Sequence, residues 1–261
     1  MKKIILLPIF ALAVSLAVWG CDSPPTQSTN SGSVDSNGKL SGQFQDVTAW
    51  PTPAPKGKEV QLAENVLVEN YYIVVDDSGS MGQKACGSNQ EKVVVGKQAL
   101  MEFAKTVPAG ANLGLLIFSR DGIREVVPLG SGPKNREDFV RAIGNLKADG
   151  GTPLYSAIKL AYEKIEEQAR RQLGYGVYRM AVVTDGEANM GEDPTSIVNY
   201  MLKNSPVTLT TIGFCIGEKH SLNQPGRVTY QEARDLDSLR QGLKEVLAES
   251  PVFDATVFEK Q

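Results

Sequence analysis

The spacing of apolar residues changes at intervals along the chain, and each change marks an element. "VENYYIVVD", residues 68–76, is a short apolar run rich in β-branched and aromatic residues, which predicts a buried strand. "EKVVVGKQALMEFAKTV" then sets Val94, Leu100, Phe103 and Val107 at helical spacing. "NLGLLIFS" is strand-like, and "IREVVPLG" alternates as a half-exposed strand does. "REDFVRAIGNLKA" puts Phe139, Ile143 and Leu146 on one helical face, and "PLYSAIKLAYEKIEEQARRQL" opens a helix with Pro153 in its first turn. A strand follows in "YRMAVVTDG", then a short helix in "PTSIVNYMLKN", strands in "VTLTTIGFCIG" and "RVTYQEA", and an amphipathic helix in "DSLRQGLKEVLAE". Strands alternating with helices predict βαβ units. The fold class is α/β, a doubly wound, mostly parallel sheet with helices on both faces. The close "LLIFS…REVVPL" pair predicts one antiparallel edge strand. No internal repeat is visible.

This texture covers residues 67–250 and leaves 251–261 as a tail. Before it the pattern differs. "MKKIILLPIFALAVSLAVWG", residues 1–20, has two lysines before an apolar stretch, the pattern of an export signal. It ends in "VWGC", which resembles the bacterial lipoprotein processing site and implies cleavage before Cys21 and acylation of its thiol. Asp22 resembles the signal that keeps a lipoprotein in the inner membrane of enteric bacteria, which favours the periplasmic face of that membrane. Residues 21–66 read as the lipidated cysteine and a flexible tether. They are rich in Ser, Pro, Gly, Thr and Asn, too poor in apolar groups to offset ordering entropy, with a reach of roughly 35 to 40 Å.

Hydrophobic content of 41% and charged content of 22% are those of an ordinary globular protein. The net charge of −3 and the lack of a basic run argue against nucleic acid as a partner.

Candidate chemistry lies at the predicted strand ends, where open α/β sheets bind ligands. Asp76, Ser78 and Ser80 follow the first strand at alternate positions, so one turn can point all three side chains the same way. Asp185 ends a later strand, and Thr152 sits in "DGGTPL", where Gly150 and Gly151 permit a tight backbone before a helix. Two carboxylates and three hydroxyls form a hard, all-oxygen set suited to Mg2+ or Mn2+, and less well to Ca2+. Zinc is disfavoured, since His220 is the only histidine and no cysteine pair has ligand spacing.

"DDSGS", "GGTPL" and "VVTDGE", in this order and on these elements, resemble the von Willebrand factor type A (VWA) domain, whose metal-ion-dependent adhesion site has D-x-S-x-S, a distant Thr and a distant Asp. The resemblance spans the globular part and implies a Rossmann-like fold. It also implies that Asp76, Ser78, Ser80, Thr152 and Asp185 bind the metal, and that a Glu or Asp of a protein partner completes its shell. Asp77 fills the variable position and is expected to face away from the metal. Glu187 reads as a solvated loop residue.

An enzyme is not expected. Asp76 and Asp77 are not a D-x-D phosphatase pair, "GSMG" is not a hydrolase elbow, no phosphate-binding P-loop is present, and His220 reads as a surface loop residue. The alternatives are a magnesium-dependent hydrolase with an unidentified base, or a structural factor in envelope assembly. Export favours oxidised thiols, and Cys86 and Cys215 both lie near the same end of the predicted sheet. They form either a bridge or two independent small core residues.

Overall fold

A computed structural model describes residues 50–248 and, before them, the antiparallel pair β1 (Ser33–Val34) and β2 (Leu40–Ser41), which belongs to a separate unit. The signal stretch, Cys21, Asp22 and the tail 251–261 lie outside the described residues. Among the described residues no helix is long and apolar enough to cross a membrane.

The main unit holds β3 (Glu69–Asp76), α1 (Lys92–Thr106), β4 (Asn112–Ser119), β5 (Gly122–Gly130), α2 (Gly132–Gly144), α3 (Leu154–Arg171), β6 (Val177–Thr184), α4 (Thr195–Asn204), β7 (Thr208–Phe214), β8 (Thr229–Ala233) and α5 (Leu236–Ala248). One six-stranded sheet has the order β5-β4-β3-β6-β7-β8. Every pairing in it is parallel except β4 with β5. Alternate residues of β3 feed two cores. Tyr71, Ile73 and Val75 pack with α1, α2 and α5, whereas Tyr72 and Val74 pack with α3 and α4. A strand covered on both faces has no polar side, which is why its sequence is a continuous apolar run.

The order matters for the site. The chain leaves β3 for β4 on one side, and β6 then pairs with β3 on the other. Connections therefore diverge between β3 and β6, opening a crevice at their carboxyl ends. The β3–β6 register sets Val75 opposite Val183, so Asp76 and Thr184 end neighbouring strands.

Two sequence expectations about the fold need correction. The packed unit begins near residue 50, so residues 50–66 are not tether. The Trp50 ring meets Tyr178 edge-on with centroids 4.9 Å apart, and its Nε1 donates to the Tyr162 hydroxyl at 3.1 Å. Farther along, Ala63 N–H donates to the Arg171 carbonyl, and Gln172 Nε2 donates to the Val66 carbonyl. Trp50 anchors the start of this stretch, and average composition hides it. The second correction is Val94, which is 44% exposed, while Val93 and Val95 are buried. Three consecutive valines carry no helical phase. The inward face is set by Ala99, Leu100 and Phe103 further along.

Candidate metal centre

Asp76 is the last residue of β3 and has no solvent exposure. Its Oδ1 accepts the Ser78 N–H at 2.8 Å, and its Oδ2 accepts the Thr184 hydroxyl at 2.6 Å. No cation pairs with it among the described residues, and burial pushes its carboxyl up to about 6, with Asp185 adding a smaller push and the Ser78 and Thr184 bonds opposing it. After Asp76 the chain turns through a 3-10 segment, Gly79–Gly82. That turn brings Ser78 Oγ within 3.0 Å of Ser80 Oγ, and Ser80 Oγ donates to Asp185 Oδ1 at 2.7 Å. Asp185 in turn binds the Lys92 ammonium through Oδ2 at 2.7 Å, and both side chains are almost wholly buried.

Thr152 belongs to the same cluster, as the glycine after Asp185 shows. A Cβ on Gly186 would lie 3.3 Å from Thr152 Oγ1 and 3.6 Å from Ser80 Oγ. The two hydroxyls therefore converge over the Gly186 backbone, where a side chain would fit only tightly. Thr152 is placed by the tight loop before α3. Gly150 there has φ +111°, and a Cβ on it would come within 2.2 Å of Arg120 N. All five sequence-predicted oxygen donors thus gather at one strand-end crevice.

Asp77 faces the other way. Its Oδ1 accepts N–H groups from Lys147 and Ala148 at 2.8 and 2.6 Å, and its carbonyl accepts the Asp149 N–H at 2.7 Å. It staples the first loop to the loop that presents Thr152. Glu187 is exposed. His220 is not the surface residue its loop position suggested. It is 7% exposed, its Nδ1 accepts the Leu222 N–H at 3.1 Å, and its Nε2 lies 2.9 Å from the Gly186 carbonyl. With Nδ1 accepting, the Nε2 proton is free to donate to that carbonyl and steady the third loop.

Residues 70–247 match the family model of the von Willebrand factor type A domain. The chain belongs to that family. Domains of this family mediate adhesion between proteins and often bind metal. The protein YwmD of Bacillus subtilis is 28% identical over 161 residues, covering 58% of this chain and 69% of its own length. A VWA protein from Catenulispora acidiphila shares the fold with a TM-score of 0.55 and 21% identity, over 70% of this chain and 42% of that one. The TRAP protein of Plasmodium vivax, solved loaded with manganese, has a TM-score of 0.53 and 21% identity, over 70% of this chain and 75% of that one. The chain thus spans less than half of the Catenulispora protein.

Within the VWA fold, sequence reasoning missed three residues at the site. Thr184 holds Asp76, Lys92 holds Asp185, and Asn189 ties Thr152 to the third loop. The Asn189 Oδ1 accepts the Thr152 N–H at 3.1 Å, and its own N–H donates to the Thr152 carbonyl at 3.0 Å. Asp193 and Glu192 follow in the same loop, and Glu192 accepts from the Ser156 N–H and hydroxyl at 2.9 Å each, fixing the start of α3. The structure also pairs Cys86 with Cys215 as a disulfide, with Cα atoms 5.7 Å apart. The bridge ties the loop before α1 to the end of β7.

Proposed function

We propose that this VWA domain is a membrane-tethered module that captures a protein partner through a divalent ion. Asp76, Ser78, Ser80, Thr152 and Asp185 would hold the ion, and a partner Glu or Asp would complete its shell. The observation that carries this reading is Asp76: a fully buried carboxylate, with no cation paired to it among the described residues, facing a cluster of hydroxyls. An isolated buried charge is costly, and a dication would remove that cost. The donors fit such an ion. They are all oxygen, and the Thr152 and Ser80 hydroxyls converge beside the Gly186 backbone. That chemistry favours Mg2+ or Mn2+ over zinc, and the manganese in the similarly folded TRAP protein is in line with it.

Two carboxylates and neutral hydroxyls leave a dication electrophilic enough to take an anionic oxygen from outside. Tethering rests on the apolar stretch of residues 1–20 and on Cys21, and placement at the periplasmic face of the inner membrane rests on Asp22. His220 gives the hydrolase alternative no free imidazole, since both of its ring nitrogens are engaged with backbone groups.

The test is capture of partners from cell envelopes by the full chain, in magnesium and then in EDTA. A partner held in magnesium, released by EDTA and lost on neutralising one of its acidic residues supports the reading. Partners that survive EDTA with no acidic residue mattering would make the ion structural.

A further inference from the structure

The buried contact between Lys92 and Asp185 sits inside the proposed metal centre, and the reading above gives it no role. Lys92 is the first residue of α1, and its backbone is pinned: its N–H donates to the Gln83 carbonyl at 2.8 Å. The loop that delivers it is closed by a bridge between Lys84 and Glu91, by the Ala85 N–H on the Gln90 carbonyl, and by the Cys86–Cys215 disulfide. The ammonium therefore reaches Asp185 from a fixed anchor, 2.7 Å from Oδ2, with the lysine side chain only 8% exposed. Oδ1 of the same carboxylate accepts from Ser80. Both oxygens of one proposed metal ligand are thus taken up by groups of this chain.

We propose that Lys92 is a tethered competitor of the metal, filling the cation's place on Asp185 and setting how tightly the ion binds. This inference rests on the metal-centre reading above. The charges follow directly. With Asp76, Asp185 and Lys92 charged, the ion-free site carries one net negative charge; a dication makes it one net positive charge. The ammonium thereby weakens the ion and strengthens the pull of the loaded site on an incoming carboxylate. Metal and partner then favour each other, because the partner's carboxylate neutralises the charge that Lys92 leaves over.

The test uses the full chain and Mn2+ alone, with free Mn2+ counted by electron paramagnetic resonance and melting followed in EDTA. Lys92→Met removes the charge and keeps the length. It should bind Mn2+ about tenfold or more tightly, since like charges a few ångströms apart repel strongly at a desolvated site. It should also melt lower in EDTA, because Asp185 is left buried without its partner. Lys92→Arg keeps the charge and holds a carboxylate through a two-pronged fork, so it should bind Mn2+ no tighter than the wild type. It carries the test if Lys92→Met does not fold. Unchanged or weaker Mn2+ binding by Lys92→Met, or tighter binding by Lys92→Arg, overturns the role of Lys92 while leaving the metal centre standing. Failure of both wild type and Lys92→Met to bind Mn2+ overturns the metal centre as well.

Discussion

Replacing Asp76 with asparagine should stabilise the ion-free protein near neutral pH, although it destroys the proposed metal site. Asp76 is wholly buried, and the donors that offset its charge, the Ser78 hydroxyl and N–H and the Thr184 hydroxyl, are all neutral. Burial raises its carboxyl from an ordinary 3.8 to about 6. That gap corresponds to about 3 kcal/mol. Because the value is raised on folding, the native state binds the proton more tightly than the unfolded chain does. The favourable contribution is complete below 3.8, falls as pH rises through that window, and is gone above about 6. Asparagine keeps an oxygen for the Ser78 N–H and carries no charge. Urea unfolding in EDTA, from about pH 4 to about pH 8, compares the two proteins directly. Near pH 4 they should be close, and near pH 8 the variant should be more stable by about 3 kcal/mol. Magnesium should then raise the wild type and leave Asp76→Asn unmoved. A difference that stays flat across the range would refute the idea that Asp76 is a buried, uncompensated charge.

Serine at both Cys86 and Cys215 should lower stability by about 2 to 5 kcal/mol, since the bridge closes a loop with a sequence separation of 129; urea midpoints of oxidised wild type and variant measure it, and equal midpoints would show that the bridge constrains nothing. Trp50→Ala removes the edge-on contact with Tyr178 and the bond to the Tyr162 hydroxyl, and should cost about 2 to 3 kcal/mol, read as a lower urea midpoint. A protein shortened to begin at residue 67 should show a similar loss, and full stability in either form would return residues 50–66 to the tether.

The layout of the sheet was legible because strand and helix periods differ so clearly in this chain. "YYIVVD" announces a strand covered on both faces, and "LLIFS" followed closely by "REVVPL" announces the antiparallel edge. The oxygen cluster was legible for a related reason: Asp76 and Asp185 stand at strand ends, where a carboxylate has no packing role to explain it. Lys92 was not legible. A lysine at the start of a helix is ordinary, and only the closed loop before it turns its side chain inward. Thr184 was equally hidden, because a threonine at the end of a strand fits β-propensity alone. His220 reads as loop surface from its neighbours Lys219 and Ser221, and its burial depends on the distant Gly186 carbonyl. Trp50 was masked by the Pro- and Thr-containing residues around it. What sequence missed, in each case, was a contact between residues far apart in the chain.

Diffraction from crystals of the protein soaked in Mn2+, with the anomalous signal of the metal located, tests the central claim most directly. The account predicts one strong peak at the carboxyl ends of β3 and β6, within about 2.5 Å of the Ser78 and Ser80 hydroxyls. Asp76, Thr152 and Asp185 should be directed at it, and the Lys92 ammonium drawn away from Asp185. No peak in that crevice at millimolar Mn2+, with Lys92 still seated on Asp185, would contradict it.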